Sequence, residues 1–497
     1  MDSTKDENTS ASQDVFSQPE TAPPDPAGVY NPPADVYGNF NPESVDNSGY
    51  AGDGSVPPPY DEDNKKKFII PIIIFLVLVI LVFFVIKLLN RPKTSKNISL
   101  SYWGLWEDNA IFRPIIDDYV KLHPTVKINY QKQTPKEYRE RLQAALARGD
   151  GPDIFRFHNT WLPMFKEDLA PVPQNIMTTS EYEKTFYPVT KNDLKLGDSY
   201  FGIPLELDGL VLLYNDDILK ASGVSPPSNW EDVRTAALKL TVKDKTTNRI
   251  VTGGIALGEA NNIEHFSDIL GLMMLQNGAD LKDPTKPEAV EALTFYRKFA
   301  EPPNNTWDDT LENSIVAFAG GKLAMVFVPT WEILNIREMN PSLNFKVMAV
   351  PQLPGVNINW ASYWVEGVSR RSTNQTEAFN FLKYLSTKEV MVKLYTEQAK
   401  QRQLFGEPYS RVDLSETVSS DPYLGPLMQE ANSMRSFPLA SRTYDNGIND
   451  QLIKYLLDGV NSLSAGASPQ SAMETANKGF IQILTKYGLL NPPTPTQ

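Results

Sequence analysis

The sequence predicts an α/β protein of two lobes, set behind one membrane-spanning helix and an acidic tail. Three observations carry this. From Ile98 onward, short runs of period-two alternation take turns with amphipathic stretches at helical spacing. That alternation continues to about residue 490, further than a single core extends. The third is the stretch 68–86, which holds no charged and no polar side chain.

The tail comes first. Residues 1–63 contain thirteen Asp and Glu against Lys5, a net charge of −12 out of −13 for the whole chain. The acidity therefore belongs to the tail, and the remainder is close to neutral. No basic stripe stands out, so nucleic acid is not expected as a partner. Residues 1–67 are rich in Pro, Asp, Ser, Asn and Gly and poor in aliphatics. Such a composition cannot bury enough apolar surface to offset its ordering entropy, so disorder is expected. The run Pro57-Pro58-Pro59-Tyr60 fits a polyproline ligand for a WW-like module. A solvated spacer explains it more simply.

The nineteen residues 68–86 rise about 28 Å as a helix, close to the ~30 Å hydrocarbon core. Leu88 and Leu89 extend the span to 68–89, with Lys87 reaching back to the interface. Pro71 falls in the first turn, where its missing N–H does little harm. A core helix is rarely apolar on every face, and a signal peptide starts near residue 1 rather than after a long acidic segment. An uncleaved span is expected, followed by a linker at 90–97. Lys65, Lys66 and Lys67 flank one side and Lys87, Arg91, Lys93 and Lys96 the other, so charge does not set the orientation.

Beyond the linker, 98–103 reads as a strand and 111–123 as a helix with Ile111, Ile115, Ile116, Tyr119 and Leu122 on one face. Residues 126–130 form a strand, 135–149 a helix and 153–157 a third strand. This β-α-β-α-β order predicts a mostly parallel sheet. Further strands are expected at 210–214, 253–257 and 323–328, with two more after Phe345. Helices are expected at 230–240 (capped by Ser228), 263–277 (closed by Gly278), 287–299 and 376–385, and helical structure from about 421 to the end. The chain has no cysteine and three histidines, His123, His158 and His265. Disulfides, thiolate metal sites and thiol nucleophiles are excluded, and no cofactor or metal is expected.

The run from Gly202 to Asn215, GIPLELDGLVLLYN, resembles the family 1 extracellular solute-binding proteins, the sugar-binding components of ABC importers. Supporting runs follow the family's order: Gly149-Asp150-Gly151-Pro152-Asp153-Ile154, Pro226-Pro227-Ser228-Asn229-Trp230-Glu231 and Gly253-Gly254-Ile255-Ala256-Leu257-Gly258. Next come Ala317 to Met325 (AFAGGKLAM), Val328-Pro329-Thr330-Trp331 and Ala378 to Leu385 (AFNFLKYL). The resemblance covers about 98–490. It implies a two-lobed periplasmic-binding-protein-like fold of type II with ligand in the cleft. By analogy the chain crosses near 205–209, returns near 345–350 and crosses again near 400. One lobe then holds 98–207 with 346–400, the other 208–345 with 401–490, and 491–497 is a flexible end. The implied protein is a monomer that captures a carbohydrate, an oligosaccharide by its aromatic content, and hands it to permease subunits. Relatives often carry a secretory signal with a lipidated cysteine; here the span 68–89 in the bilayer takes over that anchoring. This arrangement requires a cytoplasmic N-terminus and an extracellular binding domain.

A sugar presents flat C–H faces and many hydroxyls, so its site needs aromatic rings and planar polar groups. In open α/β sheets these sit at strand ends. The candidates are Trp103, Trp106 and Glu107 after the first strand; Arg156, His158, Asn159 and Trp161 at the third; Asp208 at the first crossing; Glu259 and Asn262 after 253–257; Trp331 after 323–328; and Trp360, Tyr363 and Trp364 after the return. Of these, Asn159, Asp208, Glu259 and Trp331 match family positions that commonly touch sugar, with Asn159 standing where some relatives have Asp. Glu107 and Arg156 also fit a structural ion pair, and Trp230 and Trp307 read as core. Two other functions fit parts of the sequence. A glycoside hydrolase needs two carboxylates about 5–10 Å apart, for which Asp208 and Glu259 are the available pair. A sensor or adhesion ectodomain would use the long tail for signalling.

Overall fold

The computed structural model describes the backbone at residues 63–89 and 97–491 and side-chain surroundings at 71–87 and 97–491. The tail 1–62, most of the linker (90–96) and the end 492–497 lie outside the described residues, and with them the expected disorder and polyproline ligand. The chain divides into two units, Met1–Arg91 and Pro92–Gln497. The first contains the helix Asp63–Leu89, with Pro71 inside it, and every side chain described there, from Pro71 to Lys87, is exposed. Among the described residues no helix is long and apolar enough to cross a membrane, so the expected span is not established by the fold.

The second unit is built on two five-stranded sheets. Its strands, in chain order, are β1 (Ile98–Gly104), β2 (Val126–Lys132), β3 (Ile154–His158), β4 (Lys195–Leu196), β5 (Ser199–Tyr200), β6 (Ile203–Pro204) and β7 (Leu210–Asn215). They continue as β8 (Val242–Lys243), β9 (Ile250–Ile255), β10 (Leu323–Pro329), β11 (Phe345–Met348), β12 (Asn359–Trp360), β13 (Trp364–Val368) and β14 (Met434–Arg435). The first sheet runs β2-β1-β3-β13-β6 and the second β11-β7-β10-β9-β8. This is the two-lobed α/β arrangement.

The sheets are mixed rather than mostly parallel. β1 pairs parallel with β2 and β3, and β9 with β10. β13 enters the first sheet antiparallel to β3 and β6 because it arrives from the other lobe. β7 is likewise flanked by antiparallel β10 and β11. Because β11 completes the second sheet, residues 346–348 belong to the second lobe, not the first, and the return is made by 349–363.

Helices cover the sheets where the apolar spacing placed them. Asn109–Leu122 buries Ile111, Phe112, Ile115, Ile116 and Tyr119, while Leu122 is exposed. Trp230–Leu240 is capped by Asn229, whose side chain accepts from Asp232 N–H. Ser228 instead donates to the Asp232 carboxylate at 2.6 Å. Trp230 and Trp307 are buried. After 421 the helices are Gly425–Glu430, Ile448–Ser464 and Pro469–Lys486, but 434–447 is not helical.

The connecting segments lie side by side. Leu207 N–H donates to Pro408 C=O at 3.0 Å and Ser362 N–H to Asp208 C=O at 2.9 Å. Gly209 bridges Ala361. A Cβ on Gly209 would lie 2.1 Å from the Trp360 carbonyl oxygen, so only glycine permits this approach. Glu430 gathers the return segment, accepting from Val350 N–H at 3.2 Å, Asn359 Nδ2 at 2.9 Å and Gln352 Nε2 at 2.7 Å.

Register then builds a buried ionic centre. Pairing of β3 with β13 sets Arg156 opposite Glu366 and His158 opposite Trp364. Arg156, 1% exposed, holds Glu366 through Nε at 2.7 Å and Glu107 through Nη1 at 2.7 Å. Glu206 lies 3.9 Å from the same Nη1. Breaking a buried pair leaves uncompensated charge and costs about 3–5 kcal/mol. Arg156→Met is therefore expected to lower unfolding free energy by about that amount in urea titrations; a loss below about 1 kcal/mol contradicts the assignment.

Burial raises the Glu430 carboxyl from 4.5 to about 7, although Gln352, Val350 and Asn359 donate to it. A folded pKa above the unfolded one gives stability that is complete below about 4.5 and lost as pH rises through about 7. Asp208, also raised to about 7, acts with the same sign. The protein is expected to lose on the order of 1–3 kcal/mol per such group between pH 5 and 8. Glu430→Gln should flatten that slope, read from urea midpoints across pH, and an unchanged slope rejects the role.

Candidate functional site

A cavity of about 320 Å³ opens between the two sheets at the connecting segments. Its first-lobe wall is Trp106, beyond the C-terminal end of β1, with His158 at the end of β3 and Trp364 at the start of β13. Its second-lobe wall is Trp331, Leu334 and Asn335, following β10. Glu206, Asp208 and Ser362 come from the connecting segments, Arg402 and Glu407 from the third connection, and Ser441, Arg442, Thr443 and Tyr444 from the loop after β14. A larger groove of about 630 Å³ lies at Trp230, Met273, Phe295 and Leu353. Its one tryptophan, Trp230, is buried and donates to Gln276, whereas the smaller cavity gathers Trp106, Trp331 and Trp364 with Glu206 and Asp208 at the connecting segments, so the smaller cavity is the candidate site.

The aromatic wall is braced from behind. Trp106 meets Trp364 edge-on, centroids 5.6 Å apart, and Trp161 meets Trp364 at 5.2 Å. Trp161 is fully buried and stacks on Phe165, so it supports the wall without lining it. His158 is pinned by Thr160 at 2.8 Å and Ser362 at 3.1 Å. Burial depresses its pKa to about 3, which keeps it neutral. Trp331 packs edge-on against His265, 5.6 Å between centroids.

The polar groups are fixed as firmly. Asp208 accepts from Gly209 N–H at 2.6 Å, Thr330 N–H at 3.1 Å, Thr330 Oγ1 at 2.8 Å and Trp331 N–H at 3.2 Å. Its carboxyl nevertheless rises to about 7, chiefly through burial and then Glu407. Glu206 accepts from Trp364 N–H at 3.1 Å. Burial, with Glu407 next in weight, holds its carboxyl well above the usual range. Arg402 pairs with Glu407 at 2.5 Å. The carboxylates of Glu107, Glu206 and Glu407 come within 4.8 Å of one another, a spacing that suits a cation. Arg156 and Arg402 already supply cationic partners there.

Of the sequence candidates, Trp106, His158, Asp208, Trp331 and Trp364 line the cavity. Glu107 and Arg156 lie beneath it as the ion pair. Trp103 packs against the core from β1. Asn159 donates to Asp193 at 2.8 Å and Tyr363 to the same carboxylate at 2.8 Å, so both are spent on one buried acid. Glu259 pairs with Arg297 at 2.7 Å and does not share the cavity with Asp208, so the carboxylate pair drafted for hydrolysis is not assembled. Asn262 is saturated by Asp308 and Leu311 carbonyls and Trp307 Nε1. Trp360 is buried and donates to Asp268 at 2.9 Å.

Sequence reasoning missed Glu206, Ser362, Arg402, Glu407 and 441–444. Glu206 had a signal: in Leu205-Glu206-Leu207-Asp208 the alternation puts both acids on one side. The loop had none, since it was expected to be helical. Arg442 and Tyr444 adopt φ of 61° and 52°, a strained backbone of the kind found at ligand sites.

Residues 103–392 match the family model described as bacterial extracellular solute-binding protein. The chain is 22% identical over 295 residues to the maltotriose-binding protein of Pyrococcus abyssi, covering 57% of this chain and 61% of that one. It is 21% identical to the multiple sugar-binding protein of Streptococcus mutans, covering 75% and 92%. The chain thus spans less than two thirds of the first of these relatives. The fold is similar to the sugar-binding protein MalE of Xanthomonas citri, with a TM-score of 0.64 at 17% identity, covering 79% and 98%. A cyclo/maltodextrin-binding protein complexed with maltotetraose gives a TM-score of 0.64 at 16% identity, covering 79% and 99%. With the family model matching more than half of its length, the chain belongs to the bacterial extracellular solute-binding proteins.

Proposed function

We propose that this chain captures an oligosaccharide in the cavity between its lobes and delivers it to the permease of an ABC importer. One observation carries the reading: Trp106, Trp331 and Trp364 face the same space as the carboxyls of Glu206 and Asp208. Rings take the C–H faces of a sugar, and carboxyls take its hydroxyls. The relatives' names, maltotriose-binding and multiple sugar-binding, favour a sugar over an amino acid or an anion. Bending at the segments around 205–209, 349–363 and 403–411 closes the lobes on the ligand.

The helix Asp63–Leu89 anchors the protein in the cytoplasmic membrane with its binding unit outside. The apolar sequence 68–86 supports this, as does the exposure of Ile72 to Ile86 on the helix, because such a surface of Ile, Val, Leu and Phe is costly in water.

Thermal-shift and titration experiments on the full-length protein against mono- and oligosaccharides test the capture reading. A ligand at a hundred times its Kd is expected to stabilise the fold by about 2.7 kcal/mol. Trp364→Ala is expected to weaken binding at least tenfold, as loss of a buried aromatic anchor does. Silence across the panel from a cooperatively melting protein overturns it. For the anchor, the protein is expected to stay with membranes through carbonate extraction. Release into the supernatant removes that part of the proposal.

A further inference from the structure

The floor of the cavity carries more carboxyls than cations. Glu107, Glu206, Asp208, Glu366 and Glu407 are gathered there, against Arg156 and Arg402. Arg442 does not redress this, because Glu264 holds it. His158 is neutral at any ordinary pH. Three of the acids are already occupied: Glu107 by Arg156 at 2.7 Å and Gln398 at 3.0 Å, Glu366 by Arg156, and Glu407 by Arg402 at 2.5 Å. Asp208 is held by neutral donors alone, and Glu206, whose closest cation, Arg156, stands 3.9 Å away, opens onto the cavity with one backbone donor.

Buried carboxyls in excess of cations must either take up protons or meet a positive group. A neutral sugar offers only hydroxyls and leaves proton uptake as the way to offset that charge. A protonated amine compensates it and also gains from the rings nearby, since ammonium groups are attracted to Trp and Tyr. Trp106, Trp364 and Tyr444 line the same cavity. A bare divalent cation fits less well, because Arg156 and Arg402 already hold Glu107 and Glu407, which leaves too few free carboxylate oxygens for a metal's coordination sphere. We infer that the cavity selects a saccharide bearing a basic amino group, with the ammonium received by Glu206 beside the Trp106–Trp364 wall.

This rests on the sugar-capture reading and narrows its ligand class. The test compares matched sugars differing only at one carbon: glucose, glucosamine and N-acetylglucosamine, each as monomer and as β-linked trimer, with maltotriose as a neutral control. Titrations use the full-length protein at pH 7 and low salt. The amine form is expected to bind at least tenfold more tightly than its hydroxyl and acetamido counterparts. Its binding should release protons, seen as a dependence of the heat on buffer ionisation. In Glu206→Gln the preference of amine over hydroxyl, measured on one preparation, should collapse towards unity, which makes the result independent of any change in overall fold yield. Equal or tighter binding of neutral forms, maltotriose included, overturns the amine inference and leaves the sugar reading standing. Absence of binding by every sugar overturns both.

Discussion

The structure depends on keeping one guanidinium charged where water cannot reach it. Arg156 sits on β3 with Glu366 opposite on β13, Glu107 beyond β1 and Glu206 on the first connection. Isolated, such a charge would be prohibitively costly to bury; surrounded by acids, its protonated form is favoured and its pKa lies well above the ordinary value. The three partners come from three different parts of the chain. The pair geometry therefore fixes where β13 lies against β3 and how the loop after β1 turns. Trp106 and Trp364 adjoin two of these acids, so the aromatic wall inherits its position from the ion pairs below it.

The connecting segments show the same economy. Asp208 is both a cavity residue and the acceptor that fixes Thr330 and Trp331, so it ties the crossing to the second lobe. Glu206 opens on the cavity and also receives Trp364 N–H. Glu430 collects three donors on the return segment. Carboxyls placed at the crossings let the lobes share hydrogen bonds there, which is compatible with the bending proposed for these segments.

The strand and helix pattern was legible because period-two runs and amphipathic spacing are local signals. Ile111, Ile115, Ile116 and Tyr119 are buried where that spacing placed them. Sheet direction was not legible, since β13 joins β3 across a sequence gap that no local pattern spans. The same limit governed the site. Trp106, His158 and Trp331 follow strand ends and could be named from that rule. Asn262, Glu259 and Trp360 also follow or adjoin strand ends, but nearby Trp307, Arg297 and Asp268 consume them. Whether a polar side chain faces a ligand or a neighbour depends on partners distant in sequence. The loop 441–444 was invisible for a different reason: its positive φ at Arg442 and Tyr444 falls on residues that carry no Gly or Asn signature.

The proposed binding site holds buried acids whose ionisation the fold penalises. Glu206 and Asp208 are both held above their ordinary pKa, chiefly because burial penalises the charge that binding would use. Packing the cavity with apolar residues would remove that penalty and remove the function with it. The carboxyls are tolerated because the surrounding bonds hold them in place: four donors on Asp208 and a backbone amide on Glu206. Those donors leave the charge itself only partly offset. A ligand that brings complementary charge or donors then gains twice, from its own contacts and from relief of a strain already present. Discrimination follows from the same imbalance, because a ligand lacking such donors closes the lobes around carboxyls that have lost water and gained nothing.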